Sequence, residues 1–126
     1  TTSNATPENL ARAAVEAVLC SMADAIDCLR PCGITPGRIV LTGGAARSEA
    51  VRTIAPAVFG LPVVVPEAAE YVALGAARQA AWALSGSAEP PSWPARPSVA
   101  HEASAAPGVR EQYAALRDDA AAWQVG

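Results

Sequence analysis

Large side chains are scarce in this chain: aromatic residues make up 5% of its 126, with one Phe and one Met, although 52% of the sequence is hydrophobic. Alanine supplies much of that fraction and buries little surface per residue. A core built on bulky side chains is thereby excluded, and helices packed closely on thin strands are expected. Charge is sparse too, at 17% with a formal net charge of −3, which leaves no basic footprint for nucleic acid. No apolar run approaches the roughly 20 residues that cross a bilayer. No positively charged leader precedes a hydrophobic stretch, so no membrane partner and a cytoplasmic location are expected.

Cysteine and histidine are equally few. Cys20, Cys28 and Cys32 are odd in number and complete no zinc spacing with the lone His101. They read as small apolar helix residues, and no metal site is expected. His101 has no Asp or Cys partner nearby in sequence; a general base must be positioned by its neighbours, so no catalytic role is expected for it. What remains suffices for one domain with a buried core.

Residues 6 to 30 have the pattern of one amphipathic helix, with Thr6 as cap, Pro7 in the first turn and Glu8 at the positive helix end. Leu10, Ala14, Val18, Met22, Ile26 and Leu29 share a face that should lie on a sheet, with Arg12, Glu16, Asp27 and Arg30 opposite. Pro31 and Gly33 stop this helix, and Ile39-Val40-Leu41 reads as a short buried strand. Ser48 caps a second helix on which Val51, Ile54, Ala55 and Val58 align, interrupted by Pro56 and ending near Gly60. Leu61 to Val65 is a β-branched second strand between Pro62 and Pro66.

A third helix is expected from about Glu67 to Leu84. Glu67 and Glu70 fall in its first turn, where negative charge is favourable, and Gly75 among Ala73, Ala76 and Ala77 marks a close-packing point. Residues 85 to 108, rich in proline, should form an irregular strap. Val109, Tyr113, Leu116, Ala120 and Trp123 form the apolar stripe of a final helix; Trp82, Trp93 and Trp123 should anchor the strap and that helix. Helix, strand, helix, strand, helix is the order of a parallel α/β crossover.

The glycine pair Gly43-Gly44 sits between the first strand and a helix start, a way of bringing bare backbone and unpaired N–H groups to a ligand. Three ordered pieces surround it: Gly43-Gly44-Ala45-Ala46-Arg47-Ser48, then Val58-Phe59-Gly60-Leu61-Pro62-Val63-Val64-Val65-Pro66-Glu67, then Glu70-Tyr71-Val72-Ala73-Leu74-Gly75-Ala76-Ala77. Together they resemble the C-terminal end of the FGGY carbohydrate kinases, most nearly the xylulokinases, over residues 7 to 86. The resemblance implies an α/β fold, a fragment of the actin/hexokinase-like (ribonuclease H-like) C-terminal lobe with short parallel strands flanked by helices. It divides the chain into a partial kinase lobe (1–86), a Pro-rich strap (87–108) and a C-terminal helix (109–126).

In that family the glycine segment contacts the adenosine part of ATP. The implied roles are that Gly43 and Gly44 let the main chain approach the nucleotide, with Ala45 and Ser48 beside the nucleoside. Ala45 departs from the third glycine of many xylulokinases and narrows the allowed backbone. Arg47 has a planar, permanent charge that suits a phosphate or a base, or plain solvation.

Phosphoryl transfer also needs a phosphate site, metal and a carboxylate to accept the sugar hydroxyl's proton. In the family these, with the Mg2+ ligands, belong to a glycine-rich hairpin and a catalytic Asp that nothing in this sequence resembles. The expected function is therefore the nucleotide-binding subregion of an ATP-dependent sugar kinase, acting on D-xylulose when complete and inactive alone. A sheet lacking its preceding strands has an open edge, and a homodimer by strand addition or exchange of the first helix is expected. Two other readings stay open. Glu67 stands near the distance from Gly44 at which a Rossmann-type dinucleotide domain places its ribose-binding acid, although the glycines do not make G-x-G-x-x-G. A non-catalytic interaction module using the strap is the third, weakly supported by its proline spacing.

Overall fold

The computed structural model describes residues 4–123. Thr6 opens helix α1, Pro7–Asp27: its hydroxyl accepts the Asn9 N–H at 3.3 Å, and Pro7 occupies the first turn, where a missing N–H is harmless. The helix ends at Asp27 instead of running to residue 30. Pro31 decides this, because its ring would collide with the Asp27 carbonyl and offers that carbonyl no N–H. The chain instead takes a 3-10 turn, Arg30–Cys32, and leaves it at Gly33.

The buried face of α1 differs from the expected one. Leu19, Cys20 and Ala23 are buried, with Val15 and Ile26 packed beside them, whereas Leu10, Val18, Met22 and Leu29 are exposed. The stripe is displaced by about one residue, roughly 100° around the helix. Small side chains explain the choice: Cys20 and Ala23 let α1 sit close against Ala55 of α2, Glu49–Phe59. Cys28 and Cys32 are exposed, so only Cys20 is a core cysteine.

Ser48 caps α2 by accepting the Val51 N–H at 3.4 Å, and Gly60, in the left-handed conformation, closes it. Pro56 lies within α2 without breaking it, its ring buried in the core, at the expense of a partner for the Arg52 carbonyl. Strand β1, Ile39–Val40, pairs in parallel with β2, Val63–Pro66, Ile39 opposite Val63 and Val40 opposite Val64. Ile39, Leu41, Val63 and Val65 face the helices, closing a core around Leu19, Ala55, Val58 and Phe59.

The strap is not wholly irregular. Ser98–His101 forms β3, antiparallel to β2, and gives a three-stranded mixed sheet in the order β1-β2-β3. The β2 edge offers a row of N–H and C=O groups, and Ser98-Val99-Ala100-His101 opens the stretch free of proline that follows Pro90, Pro91, Pro94 and Pro97. Helix α3 runs from Tyr71 to Ser85, later than expected, and buries no residue. A methyl group at Gly75 would meet nothing within 4 Å, so it is not a close-packing point here.

Trp82 does anchor the strap: its Nε1–H donates to the Ser87 carbonyl at 2.8 Å, while Arg78 Nε donates to the Pro91 carbonyl at 2.9 Å. Trp93 is exposed. Helix α4, Pro107–Trp123, packs Val109 and Tyr113 on the core but leaves Leu116 exposed. The Trp123 side chain lies outside the described residues. Arg110 of α4 ties the helix to α1 through Asp24 at 2.9 Å and Asp27 at 2.7 Å. None of the described helices is long and apolar enough to cross a membrane.

Candidate functional site

Two parallel neighbours put both of their carboxyl ends on one side of the sheet, the side where open α/β sheets receive ligands. Leu41, Thr42 and the glycine pair leave β1 there, and Glu67 to Glu70 leave β2 beside them. Gly43 has φ +84° and ψ −167°, a region essentially closed to side chains, and this turns the chain sharply out of the strand. Gly44–Arg47 then makes a 3-10 turn, Ser48 is extended, and α2 begins. A Cβ placed on either Gly43 or Gly44 would meet no atom within 4 Å. The glycines therefore front open space rather than packed protein.

That space is a groove of about 1230 Å3. On one side stand Thr42, Gly43, Gly44 and Arg47, with Glu49, Arg52 and Thr53 from the first turns of α2; Val65 and Pro66 form its floor. Glu67 to Tyr71 border it next, and Pro97, Ser98, Val99 and His101 complete it. Arg47 is exposed and Arg52 half-buried, and neither forms an ion pair with another described residue. With Glu49, Glu67 and Glu70 they give the groove lining charges of both signs.

The five expected contact residues divide. Gly43, Gly44 and Arg47 line the groove. Ala45 and Ser48 are not among its lining residues, and the Ser48 hydroxyl is engaged as the cap of α2. Glu67 and Glu70 do not occupy the first turn of a helix as expected: Glu67 lies in the loop after β2, Glu70 is the cap position of α3 without a side-chain capping bond, and both line the groove. The Tyr71 hydroxyl, donating to the Glu67 carbonyl, closes this loop on itself. The proline at the end of β2 and the glutamate after it thus place a charged loop, not a helix end, beside the glycine turn. His101, half-buried on β3, also reaches the groove.

Sequence reasoning missed Thr42, Arg52, Tyr71 and the strap residues. Thr42 and Arg52 had a signal: one precedes the glycine pair, and the other stands one helical turn after Ser48. The residues after β2 could also have been found, since a parallel neighbour must end where β1 ends. The strap had none, because no local pattern says which edge a short antiparallel strand will choose.

The profile of the FGGY family of carbohydrate kinases, C-terminal domain, matches residues 1–84. The chain belongs to the FGGY family of carbohydrate kinases. The xylulose kinase of Haemophilus influenzae is 38% identical over 81 residues and that of Streptomyces coelicolor 39% over 82, each covering 64% of this chain. The glycerol kinase of Koribacter versatilis is 36% identical over 77 residues, 60% of this chain. The crystal structure of xylulose kinase from Bifidobacterium adolescentis superposes with a TM-score of 0.78 at 49% identity, covering 93% of this chain and 23% of that one. The chain spans 16% to 17% of the length of the curated relatives it matches. Membership in the FGGY family sets aside the dinucleotide-binding reading, whose glycine spacing is absent as well.

Proposed function

We propose that this FGGY chain is the nucleotide-binding subregion of an ATP-dependent sugar kinase with the actin/hexokinase-like lobe, whose complete form converts D-xylulose and ATP to D-xylulose 5-phosphate and ADP. The observation that carries the reading is the groove at the carboxyl ends of β1 and β2, fronted by the open Gly43-Gly44 backbone. Main-chain atoms without side chains can come into contact with a nucleoside there, and Arg47 supplies a fixed positive charge. Xylulose as the acceptor draws on the xylulose kinases among the relatives and on the 49% identity to the Bifidobacterium adolescentis enzyme.

Nothing in the groove supplies the transfer chemistry. Among the described residues no group of three His, Cys, Asp or Glu can hold a metal ion, so Mg2+ does not fit a site on this chain and would arrive with the phosphates of ATP. Half-enclosed by one surface, a bound nucleotide keeps much of its hydration, and affinity is low without an opposing lobe. The chain alone therefore binds ATP weakly and transfers no phosphoryl group to xylulose.

Equilibrium titration of the 126-residue chain with ATP and with NAD tests this. ATP should bind in the millimolar range, of order −4 kcal/mol, and in preference to NAD. Gly44→Val should abolish that binding while leaving the far-ultraviolet circular dichroism unchanged, because the new side chain enters open space at an ordinary backbone angle. Equal binding of ATP by a folded Gly44→Val variant would return the glycine pair to a mere structural turn.

A further inference from the structure

Segment 87–108 lies beyond residues 1–84 matched by the FGGY profile, yet part of it borders the groove. Because β3 runs antiparallel to β2, its first residue stands at the ligand end: Ser98 lies opposite Pro66. The Glu67 N–H donates to the Pro97 carbonyl at 2.8 Å, which continues the pairing past the end of β2 into the loop beside the glycine turn. β1 and β3 flank β2, so two inter-strand spacings, about 10 Å, separate them. Gly43-Gly44 on one side and Pro97 to Val99 on the other border one groove, with the end of β2 and Glu67 as the floor between them.

The two banks are chemically different. Arg47, Arg52 and bare glycine backbone form one, while Pro97 and Val99 present an apolar surface. The strap is also held in place. Trp82 and Arg78 fix its beginning through the Ser87 and Pro91 carbonyls, and the Ala106 N–H fixes its end by donating to the Ala57 carbonyl of α2 at 2.9 Å. A wall restrained on both flanks, with a proline of fixed φ at its lip, is preordered for contact and loses little freedom when a ligand arrives.

We propose that Pro97, Ser98 and Val99 form the second wall of the nucleotide groove, meeting the base and ribose of a nucleotide whose other side rests on Gly43 and Gly44. This rests on the nucleotide reading above and extends the site beyond the matched kinase domain. A purine face suits the apolar Pro97 and Val99 surface, with Ser98 contributing main chain to the same wall. Val99 is 61% exposed, so replacing it disturbs the groove rather than the core.

The test is a titration of the full 126-residue chain with ADP, followed by amide nuclear magnetic resonance. The amides of Gly43, Gly44, Ser98 and Val99 should shift along one saturation curve. Val99→Asp should weaken ADP binding about fivefold by replacing the apolar surface under the base with a carboxylate that the base would desolvate, with Val99→Asn weakening it less. The spectra of the variants themselves report whether they fold. If the glycine amides shift while Ser98 and Val99 stay still, and Val99→Asp binds ADP as the parent does, the second wall is wrong and the nucleotide reading stands. If no groove amide moves, the nucleotide reading fails and the wall with it.

Discussion

Gly43 and Gly44 are adjacent and look interchangeable in sequence, but they do different work. Gly43 needs φ +84° to turn the chain out of β1, while Gly44 has no such angle and serves by leaving space. Alanine at Gly43 should therefore cost about 1 to 3 kcal/mol through backbone strain alone, since its methyl group meets nothing. Alanine at Gly44 should leave stability unchanged or raise it by about 0.5 kcal/mol through a stiffer unfolded chain. Urea unfolding of the two variants separates the roles; equal losses would show that the turn depends on both. The existence of the turn was legible in the order of strand, glycine pair and cap. The division of labour was not, because it depends on dihedral angles that residue identity leaves open.

Among the elements, capping and strand pairing were the parts legible in sequence: Thr6 and Ser48 begin α1 and α2, and β1 and β2 are parallel neighbours. The face of α1 was not, since apolar residues populate two adjacent stripes and only the partner selects between them. Leu10, Val18 and Met22 make the larger stripe, but the smaller residues Cys20 and Ala23 allow the closer approach to α2. Ion pairs add a second tie at the same C-terminal part of α1, through Asp24 and Asp27. The Asp27 carboxyl is held below the ordinary carboxylate range, first by the Arg30 guanidinium that hydrogen-bonds it and then by Arg110 from α4.

A carboxylate whose folded value is depressed stabilises fully above its unfolded value, near pH 4 or about 3.9, and that contribution is lost as pH falls through the lowered folded value. The chain should therefore lose melting temperature below about pH 4 more steeply than Asp27→Asn does. Glu8, held low by its own backbone N–H and by Thr6, titrates alike in both proteins and cancels in the comparison. At neutral pH the substitution should cost on the order of 1 kcal/mol, because Asp27 and Arg30 are more than a third exposed and only Arg110 is part-buried. Parallel acid profiles for the two proteins would mean that the clamp contributes nothing.

At the scale of the molecule, one sheet face and the outer edges of β1 and β3 lack cover among the described residues. Ile39, Leu41, Val63 and Val65 face the helices, whereas Val40 points to the other face and is 54% exposed. Val72 and Leu84 of α3 are 90% and 91% exposed, with no buried residue on that helix to hold it to the body. β1 and β3 are the two edge strands of the sheet, and the edge of β1 is the one continuous with the bare face around Val40. We propose that a second copy of the chain pairs there, and that the bare face around Val40 is covered in the same step. The edge and the face are continuous, which is why one partner satisfies both. A contact built on a two-residue strand is small, so dimerisation should be weak and depend on concentration. Val40→Lys places a charge on the face and beside the edge, a device that blocks strand addition without touching the core. Sedimentation should show the parent shifting from monomer to dimer as concentration rises, and Val40→Lys remaining monomeric with its melting temperature intact. A parent that stays monomeric at every concentration, or a Val40→Lys variant that dimerises as the parent does, would remove β1 as the pairing edge.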